Sequence, residues 1–451
     1  TYITYDELTG VPVDDALYNS KTNMLTVLGL SSTASPVTVT LIDEIYVASS
    51  GKAIKYTIET PFAIDVVTYS DADLPLLIRD EEEFLKVANE GTAQNYILLN
   101  DITLKNYTPI SANMFKMLDG NGYSINIESF NMEGSGTLNL ALFTSIPATT
   151  TIKNLKVNYY NGGKINVDTT SSGYTSINVA GLAITNAGIV TNTQVIAYQN
   201  ADAQIIHNNS VGLQVNLMRG STPYYIDDNS SVKAQIAGFV LTNTGSITNS
   251  RVGGESIVVI GDQIGDTNYT YYSNVALNHF VLSGQGDMAG FVLTNSGSIV
   301  ASGASNIQIT NLSTAAKTST AGFAVANGGN IRTSYVEGSK DPSEATQYHL
   351  KGSSINSKGT VAGFVVNNTA NGVIANAYSN IFISNSDESQ SRTSAGFVYK
   401  NEGKIAYSYS ASRVEKANIL QTNFSGVDSN GNSLNLGKIE LSYYYIQDYA
   451  D

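Results

Sequence analysis

The sequence contains an internal repeat whose copies begin with Ala-Gly. The two most similar copies read "AGFVLTNTGSITNS" from position 237 and "AGFVLTNSGSIVAS" from position 289, and looser copies begin at 180, 321, 362 and 395. The glycines of successive copies are separated by 57, 52, 32, 41 and 33 residues. A constant unit with an unequal period indicates stacked coils that carry loops of different length.

Each copy has the periodicity of a strand with one buried face. Phe239 and Leu241 alternate with other residues, an Asn-x-Gly turn follows from Asn243, and a second strand begins at Ile247. One such unit cannot bury its apolar side alone, whereas stacked copies can. We therefore predict an all-β fold, a parallel, right-handed β-helix solenoid. Recurring Phe residues should stack in its core, and recurring Asn residues should form a hydrogen-bonded ladder about 4.8 Å apart. In the Asn-x-Gly turns we expect the glycine to supply φ > 0.

Residues 1–75 lack the repeat and contain strand-like runs separated by Ser-rich and Gly-containing turns. We expect a small antiparallel β unit there and the β-helix over 76–451. A short helix is expected near 80–90, with Asp80 as N-cap and Phe84, Leu85 and Ala88 as its apolar face. This helix would cap the open end of the solenoid, whose unpaired edge would otherwise invite aggregation. Long loops are expected in roughly 198–235 and 254–288.

Composition narrows the classes of function. The 451 residues carry a formal net charge of −14, no cysteine and three scattered histidines. Nucleic acid and anionic membranes are disfavoured as partners because both attract basic proteins. Disulfides, thiol catalysis and Cys-ligated zinc are excluded, and we expect neither a metal nor a cofactor. No apolar run approaches eighteen residues, so direct membrane insertion is not expected and the chain should be a soluble mature protein or fragment.

Catalysis is also disfavoured. Polysaccharide lyases and hydrolases need carboxylates that converge on one face of adjacent coils. Here the acidic pairs, Asp14 with Asp15 and Asp227 with Asp228, are isolated in loop-like stretches, and "DGNG" at 119–122 is typical of a tight turn. No HExxH, P-loop or GxSxG motif occurs. We expect no enzyme, with a polysaccharide lyase or hydrolase as the third alternative.

Tyrosine is the unusual feature of the sequence, with 28 tyrosines and no tryptophan. Large amphipathic side chains in long surface loops are costly unless they pack or bind. Sugar rings bind proteins by laying their C–H faces on aromatic planes, so clustered tyrosines are candidate carbohydrate-binding residues. They are Tyr159, Tyr160, Tyr224, Tyr225, Tyr269, Tyr271 and Tyr272.

A second set of tyrosines lies four places after the strand Ile in the last four copies. Its members are Tyr335, Tyr378, Tyr409 and Tyr443. We expect Val336 and Val252 to point inward and these tyrosines to point outward. Rings one coil apart would stack on each other, forming a stabilising ladder, with a secondary sugar platform as the alternative.

The run from "FLKVANEGTAQNYILLNDITL" through "MFKMLDGNGYSINI" to the AGF copies resembles bacterial surface proteins that carry the GLUG repeat, over roughly residues 80–445. This resemblance implies a β-helical region of a surface protein. The whole profile, with no cysteine, an N-terminal β segment, the coil and Tyr-bearing insertions, is similar to that of the tāpirins. These are cell-surface proteins of thermophilic plant-degrading bacteria whose C-terminal β-helical domain binds cellulose.

The second resemblance implies a non-catalytic, extracellular adhesin at the cell surface. Its partner would be cellulose or a related polysaccharide, and we favour a monomer. The alternative is a structural or protein-binding surface module, such as an adhesin stalk or an assembly subunit.

Overall fold

The computed structural model describes residues 4–5, 12–13, 18–19, 24–25, 37–49, 52–64, 75–88, 91–159, 164–169, 173–197, 211–254, 256–260, 272–277, 279–315, 317–338, 353–385, 394–414, 424–427 and 432–444. For the strands before residue 65 and between 256 and 277, only the backbone is described.

The chain forms a parallel β-solenoid, as the repeat predicts. One coil runs through five short strands, Phe280–Gly284, Asp287–Ala289, Val292–Asn295, Ser298–Val300 and Gly303–Ser305. Each strand pairs in parallel with its equivalents in the previous and the next coil. The stacked strands make five sheets, which we name S1 to S5 in this chain order.

Sheets S1 to S3 contain the following strands. S1 consists of Lys164–Asp168, Val211–Arg219, Phe280–Gly284, Ile307–Asn311, Ser354–Ser357, Phe382–Asn385 and Arg413–Val414, with Thr222–Pro223 paired antiparallel to its second strand. S2 consists of Gly136–Leu140, Tyr174–Ala180, Lys233–Ala237, Asp287–Ala289, Ser319–Ala321, Thr360–Ala362 and Ser394–Ala395. S3 consists of Ile110–Ser111, Phe143–Ile146, Ala183–Asn186, Val240–Asn243, Val292–Asn295, Ala324–Asn327, Val365–Asn368 and Val398–Asn401.

Sheets S4 and S5 begin earlier in the chain and extend to the end of the described coil. S4 consists of Leu76–Ile78, Gln94–Leu98, Phe115–Asp119, Thr151–Lys153, Ile189–Thr191, Ser246–Thr248, Ser298–Val300, Asn330–Arg332, Val373–Ala375, Lys404–Ala406 and Lys438–Glu440. S5 consists of Ile102–Leu104, Ser124–Ile127, Lys156–Tyr159, Gln194–Ala197, Arg251–Gly253, Gly303–Ser305, Tyr335–Glu337, Tyr378–Ser379, Tyr409–Ser410 and Tyr443–Tyr444.

The strands described before residue 65 all pair antiparallel. They are Thr4–Tyr5 with Pro12–Val13, Tyr18–Asn19 with Met24–Leu25, and Val37–Ser49 with Lys52–Ile64. A further antiparallel hairpin, Ser256–Ile260 with Tyr272–Leu277, is inserted between S5 and S1. A short 3₁₀ helix covers Ala112–Met114.

The expected helix spans Glu81–Val87, and the Asp80 side chain accepts a hydrogen bond from the Glu83 N–H. Its buried residues are Phe84 and Val87, both part of the core of the coil. The prediction of Leu85 and Ala88 as its apolar face was wrong, because both are exposed. Val87 lies one turn after Phe84 on the same helix face, whereas Ala88 is the C-cap residue beyond the last helical position.

The Phe column forms the predicted stack in the core. Successive rings lie 4.7 to 5.0 Å apart in the series Phe239, Phe291, Phe323, Phe364, Phe397 and Phe424. The strand Ile residues Ile247, Ile299 and Ile331 are fully buried beneath S4. Because each ring contacts the rings above and below, the stack ties successive coils together along the axis.

The Asn column forms the predicted ladder at the end of S3. Each side-chain N–H donates to the side-chain oxygen of the next coil at 2.6 to 2.8 Å, in the series Asn186, Asn243, Asn295, Asn327, Asn368, Asn401 and Asn435. The members from Asn186 to Asn401 are at most 1% exposed. Buried amides are costly unless they are paired, and this ladder pairs each of them with its neighbours.

The glycines of the Asn-x-Gly turns have a different role from the predicted one. None of Gly245, Gly297, Gly329 and Gly403 has a positive φ. A Cβ on Gly297 would lie 2.1 Å from the carbonyl oxygen of Gly245 in the preceding coil. Glycine is therefore required here because consecutive coils approach each other closely, and the prediction of φ > 0 was wrong.

Left-handed residues occur instead at the corner between S4 and S5. Asn154, Asn192, Asn249 and Asn376 occupy this position in four coils, each with φ between 46° and 53°. Asn tolerates this conformation better than other side chains because it can bond locally. The last two described coils place Tyr407 and Leu441 at the same corner, with φ of 52° and 45°.

Most of the variation in repeat length lies on one side of the coil. In the coils between Gly181 and Gly396, the connections from S2 to S3 and from S4 to S5 are always two residues, and those from S3 to S4 are two or four. The longer connections enter or leave S1, at 198–210, 220–232, 254–279, 312–318, 338–353 and 386–393. Insertions therefore border the outer face of S1 on both sides.

The expected loop ranges were too wide. The range 198–235 contains the S1 strand Val211–Arg219, and 254–288 contains the S1 strand Phe280–Gly284. These strands lack the AGF motif, but they alternate buried and partly exposed residues as coil strands do.

Candidate functional site

The outer face of S1 is a surface of amide and hydroxyl side chains. One column of outward residues runs across five strands as Gln214, Ser283, Thr310, Asn356 and Ser384. The alternate residues, such as Ile309 and Ile355, are fully buried. Since the buried residues fix each strand on the core, the polar column is held on a rigid support.

The insertion 220–232 is fastened to this side of the coil. Gln285 is only 2% exposed, and its side-chain oxygen accepts the Ile226 N–H at 2.5 Å. Its side-chain nitrogen donates to the Tyr224 carbonyl at 2.6 Å. From the following coil, the Ser313 hydroxyl donates to the Ile226 carbonyl at 2.9 Å. The backbone that carries Tyr224 and Tyr225 is thus bound to two coils at once.

The two adjacent tyrosines of this insertion have different surroundings. Tyr224 is partly buried against the core, and the Arg219 guanidinium lies 4.0 Å from its ring centroid. That distance is typical of a cation–π contact, so one face of the Tyr224 ring is already occupied. Tyr225 is 50% exposed. Of the pair, Tyr225 is the side chain with a ring accessible to a ligand.

Tyr225 lines a shallow cavity of about 270 Å³ on the S1 face. The other lining residues are Thr310, Asn311, Leu312, Ser313, Thr314, Asn356 and Lys358. Small-molecule sites combine an apolar wall with a few polar groups that fix orientation. Here the aromatic ring and Leu312 provide the apolar wall, and the hydroxyls and the Asn356 amide provide polar groups.

The remaining candidate tyrosines have different outcomes. Tyr159 is 1% exposed, and its hydroxyl donates to the carbonyls of Ala180 and Gly181. The predicted sugar contact for Tyr159 is wrong because its position at the end of an S5 strand turns the ring into the core. Tyr160, Tyr269 and Tyr271 lie outside the described residues. Tyr272 begins the strand Tyr272–Leu277, of which only the backbone is described.

The tyrosine ladder has the predicted geometry. The rings of Tyr335, Tyr378, Tyr409 and Tyr443 are stacked with centroids 5.2 to 5.8 Å apart, while Val336 and Val252 are fully buried. The ladder begins over Gly303, where a Cβ would lie 2.6 Å from the Tyr335 ring. Tyr378 and Tyr409 each lie between two ladder neighbours, and Tyr335 lies between Gly303 and Tyr378. Three of the four rings are therefore covered on both faces, which favours a stabilising role.

The ladder also contains a hydrogen bond to a carboxylate. The Tyr378 hydroxyl donates to the Glu337 carboxylate, which lies on the same outer face two residues after Tyr335. Burial, followed by this bond, raises the pKa of Tyr378 well above the ordinary tyrosine value. Burial also raises the pKa of Tyr335 and Tyr409. Tyr335, Tyr378 and Tyr409 therefore remain neutral and can donate hydrogen bonds well into alkaline solution.

Asp227, two residues after Tyr225, has hydrogen-bond partners within its own turn. The Asp227 carboxylate accepts hydrogen bonds from the Ser230 hydroxyl and the Asn229 N–H, which lowers its pKa. A carboxyl with a lowered pKa is a poor general acid near neutral pH.

The expected tight turn at 119–122 is present, with Asp119 accepting the Asn121 N–H. Within the described ranges, no group of three or more His, Cys, Asp or Glu could hold a metal ion.

A second surface lies at the C-terminal end of the described coil, which we name the terminal patch. Its exposed apolar residues are Tyr407, Leu436, Leu441, Tyr443 and Tyr444. Leu441 is 73% exposed and Tyr443 is 65% exposed. Bulky left-handed residues such as Tyr407 and Leu441 are uncommon and costly, and such outliers often mark functional surfaces.

The sequence singles out Tyr225 as a candidate, but it does not indicate the residues that position Tyr225 and line its cavity. Gln285 lies outside the repeated motif, and no local pattern marks it as the partner of Tyr224 and Ile226. Thr310 and Asn356 had a usable signal, since each lies between two buried residues of an S1 strand.

Among the residues that the structure describes, no helix is long and apolar enough to cross a membrane. No family model and no curated protein matches this chain.

Proposed function

We propose that this chain is a non-catalytic adhesin domain of the cell surface that binds an insoluble plant polysaccharide, and we propose cellulose as that polysaccharide. The observation that carries the proposal is Tyr225, a half-exposed ring on a loop fastened to two coils, beside a cavity lined by hydroxyls and an amide. The confinement of the longer connections to the borders of S1 supports the same face, because binding residues often lie on loops positioned by a rigid scaffold.

The chemistry of the cavity suits a neutral sugar. A pyranose ring presents C–H groups on its faces and hydroxyls at its edge. A tyrosine ring can cover a C–H face, while Thr310 and Asn356 can exchange hydrogen bonds with hydroxyls. The net charge of −14 disfavours polyanions such as polygalacturonate, whereas it has no net effect on an uncharged glucan.

Rigid positioning of Tyr225 would increase affinity. Binding that must first order a loop loses part of the contact energy to conformational entropy. The hydrogen bonds from Gln285 and Ser313 order the loop when the protein folds. Binding of a ligand therefore does not have to overcome the conformational entropy of the loop. A flat insoluble substrate also matches a flat sheet face better than it matches a deep pocket.

The test is a depletion isotherm on microcrystalline cellulose at low salt. We expect the wild-type chain to partition onto the solid, and Tyr225→Ala to bind roughly 2- to 13-fold more weakly, from about 0.5 to 1.5 kcal/mol per stacked ring. Tyr407→Ala is the matched control, since Tyr407 is 59% exposed but lies at the corner between S4 and S5. Wild-type protein left wholly in the supernatant would overturn the proposal.

A second candidate function is assembly with another copy of this chain, which the terminal patch favours. Within the described residues, the first coils are covered by Glu81–Val87, whereas Lys438–Glu440 and Tyr443–Tyr444 pair with only one neighbouring strand. Pairing of this end with the same end of a second copy gives a closed end-to-end dimer rather than a filament. Sedimentation velocity at increasing concentration tests this: a dimer abolished by Leu441→Asp would support assembly, and a monomer throughout would refute it.

A further inference from the structure

Phe382 is an outward-facing aromatic residue on S1. Its neighbours Ile381 and Ile383 are both fully buried, whereas Phe382 is only partly buried. Its column is otherwise formed by Val281, Gln308, Ser354 and Arg413. A partly exposed phenylalanine on the outer face of S1 has no role in the core of the coil.

The register places Phe382 beside the cavity of Tyr225. Ser354 pairs with Phe382, and Asn356, which lines the cavity, pairs with Ser384. Phe382 is therefore one strand and two residues away from Asn356, a diagonal of about 8 Å for strands 4.8 Å apart with a 3.3 Å rise per residue. Thr310 pairs with Asn356 on the other side, so it lies one strand further from Phe382. Like Asn356, it lines the cavity of Tyr225.

The two sides of Phe382 differ. On the side away from the cavity lies Arg413, whose guanidinium carbon is 5.7 Å from the ring centroid. On the side toward the cavity lies Ser354, whose side chain is too small to cover an aromatic ring. The arrangement is two aromatic residues, Tyr225 and Phe382, separated by a strip of hydroxyl and amide groups.

We propose that Phe382 is a second sugar-stacking residue and that a β-linked glucan chain lies obliquely across S1 from Tyr225 to Phe382. This inference rests on the proposed function and extends it. Phe382 lies about 8 Å from Asn356, on the side away from Tyr225, so a ligand that contacts both aromatic residues must extend over several sugar units. Asn356 and Ser354 would meet the hydroxyls of the units between the two rings.

The experiment is calorimetric titration with soluble cello-oligosaccharides of two to six units. We expect wild-type affinity to rise with length once the ligand reaches Phe382. Phe382→Ala should lower the affinity for the six-unit ligand roughly 2- to 13-fold, as expected for one stacked ring, and leave the affinity for the two-unit ligand unchanged. Tyr225→Ala should weaken both ligands.

Two conservative variants separate stacking from folding. Phe382→Leu keeps an apolar side chain without a ring face and should behave like Phe382→Ala, while Phe382→Tyr should retain wild-type affinity. Val281→Ala, in the same column two strands before Ser354, is the control. If the wild type binds the six-unit ligand and both Phe382→Ala and Phe382→Leu bind it equally well, the inference is wrong and the proposed function stands. If the wild type binds neither oligosaccharide nor cellulose, the proposed function itself fails.

Discussion

Replacing Gln285 should release the loop that carries Tyr225 without unfolding the coil. In Gln285→Met the side-chain volume is nearly kept, but the Ile226 N–H and the Tyr224 carbonyl lose their partner. A buried polar group left unpaired costs about 1 to 3 kcal/mol. Ile226 is 6% exposed, while Tyr224 is partly buried and its carbonyl can gain water more easily. We therefore expect the local opening of the loop to become easier by about 2 to 4 kcal/mol.

Amide hydrogen exchange measures this change directly. At about 1.4 kcal/mol for each factor of ten, exchange in residues 222–231 should accelerate roughly 30- to 1,000-fold. The strands Phe280–Gly284 and Ile307–Asn311 should keep their protection, because their ladder hydrogen bonds are untouched. Cellulose affinity should fall as well, since binding must then pay for ordering the loop.

The matched control is Gln235→Met, since Gln235 is an exposed residue of S2 in the neighbouring coil. This variant should leave both exchange and binding as in the wild type. Unchanged exchange in residues 222–231 of a folded Gln285→Met protein would refute the reasoning that Gln285 holds the loop.

Three further predictions concern the coil. Asn295→Ala should lower the free energy of unfolding by about 2 to 5 kcal/mol in chemical denaturation, since it breaks the buried ladder on both sides; a loss below 1 kcal/mol would contradict this. Tyr407→Asn should raise stability by up to about 1 kcal/mol, because Asn tolerates the φ of 52° better than Tyr; a lower melting temperature would count against the strain. Stability should fall as pH rises above about 10, because the unfolded tyrosines ionise there while the raised pKa keeps Tyr378 neutral in the fold. Tyr378→Phe should make this alkaline loss shallower in melting curves from pH 8 to 11, and an identical slope would refute the contribution of Tyr378.

The sequence predicts the coil because the same side chains recur at the same strand positions. A Phe that returns in each copy must lie above the Phe of the previous copy once the copies stack, and the same holds for the Asn and Tyr columns. The Asp80 cap was readable for a similar reason, since a capping bond joins residues three positions apart. The role of the turn glycines was not readable, because the carbonyl that excludes a Cβ at Gly297 belongs to Gly245 in another coil.

The sequence by itself therefore determined the parallel solenoid, its three ladders and its capping helix, all of which follow from local periodicity and stacking. Only the tertiary structure decided which tyrosine is accessible. Tyr159 turns into the core, Arg219 covers Tyr224, and Gln285 holds the loop across 61 residues of sequence. Contacts over such separations depend on which coil an insertion folds against. That choice is set by the packing of the whole solenoid and leaves no periodic signal in the chain.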